Sequence, residues 1–300
     1  MVYEKINLEE IFVNLPKTDR TAVAHVFLPE VYEEIGVNKV FPCVVLCPGG
    51  AYVFRSQRED EPTVLRFLGA GIAVVKVEYS CGPEGGHFPT QLLQVCAAIA
   101  MVRRNAEKWH IDSSKIAVMG YSAGGHLAGT VGTLWNSPLV RETLQIPSGE
   151  DRPDGMILGY PVITSGAYTH EDSIKFLLGE DRYQDEKERE KVSVEKLVNH
   201  DTPKAFLWHT FEDDLVPVEN LVDNVDEEGI HTVYVIGKAV GSSIEIIPVN
   251  IYMDDDDDFE DTDEDIFVDE DKQEAAAEKE ALQPSEDGEA DDKLDIEEVE

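Results

Sequence analysis

The sequence predicts an α/β fold in which helices cover both faces of a mostly parallel sheet, forming a three-layer sandwich. Three observations support this prediction. Apolar runs rich in β-branched residues alternate with helical patterns along most of the chain. Residues 40–47 are apolar almost throughout, which is typical of a strand buried on both faces of a parallel sheet. A glycine-serine-glycine motif lies between the apolar run at residues 115–119 and a helical pattern of small residues.

The elements follow one another in order along the chain. Strands are predicted as two short segments within residues 3–29 and at residues 40–47, 72–79, 115–119, 156–163, 204–210 and 231–237. A long helix is predicted at about residues 89–109. Ser56 and Glu59 fit a capping box for a helix that ends at Gly69. Residues 164–202 contain charged helical pieces, which form either a cap over a site or a solvated helix pair.

The motif Gly120-Tyr121-Ser122-Ala123-Gly124 has the form of a nucleophile elbow, a sharp turn between a strand and a helix. Glycine is needed two positions before and after the serine because larger side chains would clash with the neighbouring strand and helix. The backbone N–H of Ala123 lies at the positive end of the following helix, where it can stabilise an oxyanion. The motif therefore predicts Ser122 as a nucleophile and Ala123 as an oxyanion donor.

Gly49 and Gly50 directly follow the strand predicted at residues 40–47. In a fold with a nucleophile elbow, such a turn supplies the second oxyanion donor, because the backbone must approach the substrate without a Cβ atom in the way. We therefore predict the N–H group of Gly50 or Ala51 as this donor. A further glycine-rich segment, residues 80–89, is predicted at the same carboxyl edge of the sheet, where ligands bind.

Two carboxylates follow the strand predicted at residues 204–210 and are candidates for the acid that orients a catalytic histidine. Asp213 and Asp214 both lie on the loop where this fold places the acid, and the chain order of serine before aspartate fits the same fold. The residues alone leave the choice between the two open.

Charge and hydropathy exclude several functional classes. The net charge is −37, and the last fifty residues carry 25 acidic and 3 basic side chains. Because no basic cluster is present, we expect no nucleic-acid partner. No apolar run approaches the length of a membrane span, and the amino terminus has no apolar signal region. We therefore expect no membrane association and a cytoplasmic location.

Metal and redox chemistry are not expected from the cysteines or the acidic runs. The chain has four cysteines, Cys43, Cys47, Cys81 and Cys96. They lie in apolar contexts without ligand spacing, which predicts buried reduced thiols. Acidic residues alternate at positions 261–265, but Ile266 stands where a calcium-binding EF-hand loop needs glycine. We expect no metal ion and no cofactor.

Several motifs agree in order and spacing with one known family. They are Cys47-Pro48-Gly49-Gly50-Ala51-Tyr52, Arg58-Glu59-x-Glu61-Pro62, Phe88-Pro89-Thr90, the elbow with Gly125-His126-Leu127-Ala128, Tyr160-Pro161-Val162-Ile163, and Leu207-Trp208-His209-Thr210 followed by Asp213, Val216 and Pro217. Over about residues 1–220 the sequence resembles the α/β-hydrolase esterases of the acetyl-xylan esterase and feruloyl-esterase-like (BD-FAE-like) group. The resemblance implies a carboxylesterase that removes small acyl groups, commonly acetyl, from carbohydrate-like, small-molecule ester substrates. It favours Asp213, because the family's acid stands in the pattern D-x-x-V-P.

The sequence departs from this family at the carboxyl end. The family's catalytic histidine belongs to a glycine-rich loop after the last strand, but residues 237–243 contain no histidine. His231 lies at the start of the predicted last strand, about 20 Å from the edge where Ser122 is expected. Three explanations remain open. The chain keeps a binding pocket without catalysis, another histidine such as His87 takes the role, or the carboxyl-terminal part is not native to this hydrolase.

The carboxyl-terminal segment differs in composition from the rest of the chain. Residues 244–252 form a strand-like apolar run with no expected place in the fold. From residue 254 onward the high charge and few apolar residues predict disorder. We therefore expect a hydrolase domain at residues 1–243 and an acidic tail at residues 244–300. The tail either keeps the protein in solution or docks a basic protein partner, so an acidic interaction protein is a further functional hypothesis.

Overall fold

The computed structural model describes residues 1–222, except 35, 37 and 211, together with the backbone of two later strands. Within these residues one sheet contains the strands β1 (Val2–Asn7), β2 (Val23–Leu28), β3 (Phe41–Cys47), β4 (Ala73–Glu78), β5 (Ile111–Tyr121), β6 (Gly155–Gly159), β7 (Ala205–Thr210), β8 (Thr232–Val240) and β9 (Ser243–Asn250). Their spatial order is β1-β2-β4-β3-β5-β6-β7-β8-β9. The six strands from β4 to β8 in this order pair in parallel, and the pairings that involve β1, β2 and β9 are antiparallel.

Helices connect the parallel strands. In the described residues they are α1 (Leu8–Ile11), α2 (Glu61–Gly69), α3 (Thr90–Arg104), α4 (Ala123–Leu134), α5 (Pro138–Leu144), α6 (Glu171–Leu178), α7 (Glu180–Tyr183), α8 (Glu186–Glu190) and α9 (Glu219–Val222). None of these described helices combines the length and the apolar character that crossing a bilayer requires. The predicted long helix is present as α3, which ends five residues earlier than expected.

The two faces of the sheet are covered by different helices. On β3, the side chains of Cys43 and Val45 belong to the large core that also contains the buried face of α3 and α4. Val44 and Leu46 alternate with them and pack in a smaller core with Val64 of α2. Helices on both faces of a mostly parallel sheet confirm the predicted three-layer α/β class. The four cysteines are buried free thiols, as expected.

Two local predictions are wrong. The side chain of Ser56 makes no capping hydrogen bond, so the capping box does not form, and α2 begins only at Glu61. The strand predicted at residues 231–237 is not the last one, because β9 pairs antiparallel with β8 and gives residues 244–250 of the apolar run a place in the sheet. His231 and the acidic segment from residue 254 lie outside the described residues.

Candidate active site

Ser122 occupies the turn between β5 and α4. Its backbone has a φ of 51° and a ψ of −122°, a conformation that non-glycine residues rarely adopt and that costs free energy. A Cβ atom at Gly120 would lie 2.0 Å from the carbonyl oxygen of Gly124, and one at Gly124 would lie 2.1 Å from the carbonyl oxygen of Cys47. Close approach of the backbone therefore requires glycine at both positions, which explains the spacing of the motif.

A cavity of about 490 Å³ opens beside this turn. Four of the five site residues that the sequence predicts line it, namely Ser122, Gly50, Ala51 and Asp213. The fifth, Ala123, is fully buried directly after Ser122 in the chain. The structure thus brings the candidate nucleophile, the glycine-rich turn and the candidate acid together at the carboxyl edge of the parallel sheet, where ligands bind in folds of this class.

The glycine loop, residues 49–52, follows β3 and is held by hydrogen bonds that its carbonyl groups accept. The carbonyl of Gly49 accepts from the N–H of Ser56 at 2.9 Å, and that of Gly50 accepts from the N–H of Val53 at 2.9 Å. The φ of Gly50 is 119°, and a Cβ atom there would lie 2.3 Å from a backbone oxygen. The loop therefore turns tightly enough to bring its backbone to the cavity without side chains in between.

Three backbone N–H groups of the elbow and the glycine loop are unpaired among the described residues. The N–H groups of Gly50, Ala51 and Ala123 have no hydrogen-bond acceptor in the described part of the chain. Ala123 is the first residue of α4, so its N–H also lies at the positive end of the helix dipole. Backbone donors of this kind, arranged around a serine hydroxyl, can stabilise negative charge on an oxygen atom bound in the cavity.

Asp213 rather than Asp214 faces the cavity. Its Oδ1 accepts hydrogen bonds from the N–H groups of Leu215 and Val216, at 2.9 and 3.0 Å. Its Oδ2 lies 3.8 Å from Nε2 of His209. The loop thus fixes one carboxylate oxygen through its own backbone, while Asp214 is exposed and does not line the cavity.

His170 lines the same cavity as Ser122, although the sequence does not single it out. It precedes α6, and its Nδ1 lies 2.9 Å from the hydroxyl oxygen of Ser173 and 3.3 Å from the Ser173 backbone nitrogen. One ring nitrogen therefore caps the helix, and Nε2 has no hydrogen-bond partner within the described residues. The only signal in the sequence is that His170 falls in the segment 164–202, for which a cap over a site is one of two hypotheses.

His87 does not reach Ser122. It lines a different cavity, together with Pro83, Phe176 and residues of α6. Its Nδ1 lies 3.1 Å from the carbonyl oxygen of Phe176. The structure therefore disagrees with the hypothesis that His87 replaces the missing catalytic histidine.

Two further histidines near the motifs are engaged in the interior. The Nε2–H group of His126 donates to the carbonyl of Val192 at 2.6 Å, so its Nδ1 must accept from the hydroxyl of Tyr52 at 2.7 Å. Burial lowers the pKa of His126 to about 4 and keeps the ring neutral. His209 is fully buried and donates from Nε2 to the carbonyl of Val216 at 2.7 Å. Both rings therefore hold backbone in place.

The carboxylate of Glu59 joins two loops of the cavity instead of capping a helix. Its Oε2 accepts from the N–H of Gly49 at 2.7 Å, and its Oε1 accepts from the hydroxyl of Tyr160 at 3.1 Å. Burial and, after it, the nearby charge of Glu59 raise the pKa of the Tyr160 hydroxyl, which therefore stays protonated as the donor. Glu59 and Tyr160 both line the cavity.

The chemistry that this arrangement can perform depends on a base. Among residues 1–222 as described, no hydrogen bond joins Ser122 Oγ to an imidazole, and no group of three or more His, Cys, Asp or Glu side chains could hold a metal ion. The site offers a hydroxyl on a strained turn, unpaired backbone donors and a carboxylate. These are parts of the machinery for acyl transfer through a serine.

Known proteins are similar to this chain in sequence. The family model BD-FAE matches residues 30–223. The endo-1,4-beta-xylanase B of Butyrivibrio fibrisolvens is 34% identical over 197 residues, which cover 65% of this chain and 31% of that protein. The acetylxylan esterase of Xylanibacter ruminicola is 32% identical over 195 residues, which cover 64% of this chain and 36% of that protein. The chain thus spans about a third of the length of these curated relatives.

Solved structures share the fold. A crystal structure of an acetyl ester-xyloside bifunctional hydrolase from Caldicellulosiruptor lactoaceticus is similar with a TM-score of 0.66 and 32% identity, over 79% of this chain and 87% of that one. A carboxylesterase from Lactobacillus plantarum is similar in fold, with a TM-score of 0.64 and 24% identity, over 81% of this chain and 84% of that one. These similarities confirm the predicted α/β-hydrolase architecture. The chain belongs to the BD-FAE family of α/β hydrolases.

Proposed function

We propose that the chain is a serine carboxylesterase that removes small acyl groups, such as acetyl, from carbohydrate esters. The observation that carries this proposal is the cavity in which Ser122 lies beside backbone N–H groups that lack acceptors in the described residues. Exposed Phe54 and Leu215 also line the cavity and offer apolar contacts to an acyl group. Similarity to an acetylxylan esterase and to an acetyl ester-xyloside hydrolase supports the substrate class.

In the proposed reaction, Ser122 Oγ attacks the carbonyl carbon of the ester. The N–H groups of Ala123 and of Gly50 or Ala51 stabilise the oxyanion that forms. The bond to the alcohol oxygen then breaks, the alcohol leaves with a proton, and the acyl group remains on Ser122. Water hydrolyses this acyl-enzyme and restores the serine hydroxyl.

Removal of the proton from Ser122 needs a base, and we assign this role to His170. It is the histidine that lines the cavity in the described part of the chain. Its Nε2 can receive the proton only in the tautomer whose Nδ1–H donates to the hydroxyl oxygen of Ser173, so in this role Nδ1 no longer accepts from the Ser173 N–H. Asp213 places a carboxylate in the same cavity, which is the group that orients the base in a serine triad.

The second candidate function is that of a non-catalytic binding protein with the same cavity. One observation favours it, since no hydrogen bond joins Ser122 Oγ to an imidazole in the part of the chain that is described. Without a base the serine hydroxyl is a weak nucleophile, and only residual catalysis from the oxyanion donors and from binding would remain.

Hydrolysis of p-nitrophenyl acetate at pH 7 to 8 tests the proposal. We expect Ser122→Ala to lower kcat/KM by about a thousandfold, because the covalent route is lost. His170→Asn should lower it by a similar factor, and His87→Asn, a histidine of the other cavity, is the matched control and should leave it unchanged. Release of acetate from acetylated xylose oligomers then tests the substrate class.

Two outcomes would contradict parts of this proposal. Turnover by the parent that is no higher than that of Ser122→Ala would reject the esterase and favour the binding protein. Turnover that depends on Ser122 but is unchanged in His170→Asn would keep the esterase and remove His170 as the base.

A further inference from the structure

Glu59 links the loops of the two strands that flank the nucleophile strand. Gly49 follows β3 and Tyr160 follows β6, and the sheet places β3 and β6 on either side of β5, which leads to Ser122. One carboxylate oxygen accepts from the N–H of Gly49 and the other from the hydroxyl of Tyr160. The side chain of Glu59 therefore spans the site across the strand that carries the nucleophile.

The hydrogen bond from the Gly49 N–H to Glu59 is one of several that fix the glycine loop. The carbonyl groups of Gly49 and Gly50 are used by N–H groups further along the chain, and the N–H of Gly49 is used by Glu59. In the described residues this leaves the N–H groups of Gly50 and Ala51 without acceptors, and one of these two is the proposed second oxyanion donor beside Ala123. A backbone N–H that loses its hydrogen-bond acceptor shifts the peptide toward another acceptor. Through its bond with the Gly49 N–H, Glu59 therefore controls the direction of the N–H groups of Gly50 and Ala51.

Gly49 packs closely against both Glu59 and the nucleophile turn. A Cβ atom at Gly49 would lie 2.6 Å from Glu59 Oε2, 2.6 Å from the carbonyl oxygen of Tyr121 and 3.1 Å from the Cβ of Ser122. The carboxylate and the nucleophile turn thus both pack against Gly49 where a Cβ atom would otherwise stand. A change of the Glu59 side chain therefore shifts the loop relative to Ser122.

We infer that Glu59 is a positioning residue, which holds the glycine loop so that the N–H groups of Gly50 and Ala51 face the oxygen of the substrate carbonyl. Tyr160 orients the carboxylate by donating to its second oxygen. The inference rests on the proposed esterase function for its chemical meaning. It also explains why Glu59 does not cap α2, because its carboxylate is engaged at the loop.

The test compares three variants at Glu59 with the parent in kcat, KM and thermal unfolding. We expect Glu59→Ala to lower kcat by about thirtyfold with a change in KM below about threefold, since a misplaced oxyanion donor affects the transition state more than the bound ester. Glu59→Gln should stay within about threefold of the parent, because its amide oxygen still accepts from the Gly49 N–H. Glu59→Asp keeps the charge but is one carbon shorter, and should lose as much as Glu59→Ala.

Asp60→Ala is the matched control. It removes a neighbouring, partly buried carboxylate that pairs with Lys76 at 2.8 Å and does not line the Ser122 cavity. We expect its kcat and KM to equal those of the parent. A loss in Asp60→Ala as large as in Glu59→Ala would overturn the inference, because any carboxylate in this segment would then have the same effect.

Affinity for phenylboronic acid provides a second measurement that needs no turnover. The boronate adds to a serine hydroxyl as a tetrahedral anion and so mimics the charge that the N–H groups stabilise. We expect Glu59→Ala to weaken its Kd by about tenfold and Glu59→Gln to leave it within about threefold. If the parent hydrolyses no ester through Ser122, the esterase proposal is rejected. The boronate affinities of the parent and of the Glu59 variants then test the role of Glu59 without any measurement of turnover.

Two results would overturn the role of Glu59. In one, folded Glu59→Ala matches the parent in kcat and in boronate affinity. In the other, Glu59→Gln loses as much as Glu59→Ala while Glu59→Asp retains the activity, which would assign the effect to charge rather than to the hydrogen bond with Gly49.

Discussion

The nucleophile side of the cavity, with Ser122 and the glycine loop, is built differently from the acid side, with Asp213 and His170. On the nucleophile side the backbones meet so closely that a Cβ atom at Gly124 would overlap a carbonyl oxygen of β3. On the acid side, Asp213 is half-buried on a loop, and backbone N–H groups of that loop hold one of its oxygens. His170 is also half-buried and caps a helix with one nitrogen.

This difference shows that placing a nucleophile and supplying its base are separate structural tasks. The conformation of Ser122 follows from the packing of β3, β5 and α4, which does not depend on the carboxyl-terminal part of the chain. The base depends on which imidazole reaches the cavity, and the sequence after His231 offers none. Substitutions on the two sides of the cavity should therefore differ in their effects on stability and activity.

Gly124→Ala should have the largest effect, because it acts on the closely packed nucleophile side. The new Cβ atom would lie 2.1 Å from a backbone oxygen, and we expect a loss of about 4 kcal/mol in the free energy of unfolding by urea. Gly69→Ala is the control, since its Cβ atom meets nothing within 4 Å and should change the free energy by less than about 1 kcal/mol. Equal stability of the two variants would contradict the close packing at the elbow.

The buried His126 behind the elbow should make the nucleophile side sensitive to acid. Its pKa is about 4 in the folded protein and near its ordinary value of 6.5 when unfolded. Between these values the unfolded chain binds a proton that the native ring does not, so stability is complete above pH 6.5 and falls by about 3 kcal/mol toward pH 4. His126→Gln should remove this part of the pH dependence. An unchanged dependence in the variant would show that other groups cause it.

Substitution of Asp213 should separate the stability of the acid side from its chemistry. Asp213→Ala removes two hydrogen bonds on a half-exposed loop, for a loss of about 1 to 2 kcal/mol. Asp213→Asn retains the Oδ1 acceptor and should be nearly as stable as the parent, while esterase activity falls because a neutral amide replaces the carboxylate that orients the base. Activity of Asp213→Asn equal to the parent would remove Asp213 from the mechanism.

Ser122→Gly should have the smallest effect on stability, with the opposite sign. Glycine adopts a φ of 51° with a ψ of −122° more readily than serine, so we expect a gain of about 1 kcal/mol in the free energy of unfolding. Ser122→Ala keeps a Cβ atom and should gain less. If both variants were less stable than the parent, the elbow would store no strain.

Local sequence patterns are enough to predict the class of fold, the elbow and the two segments with unpaired backbone N–H groups. These features are local, since a buried strand, a turn and a helix leave their marks on consecutive residues, and glycine is required where backbones meet. The sequence also shows directly that residues 237–243 contain no histidine, which is where the resemblance places the family's catalytic histidine.

Which distant side chains complete the cavity is seen from the tertiary structure alone. Glu59 and Tyr160 are 101 residues apart, and their contact exists because β3 and β6 flank β5 in the sheet. From the sequence, Glu59 fits a helix cap, because capping is a pattern of nearby residues. Its hydrogen bond with the N–H of Gly49 leaves no such local pattern. The same reason separates His170, which lines the Ser122 cavity, from His87, which lines another cavity.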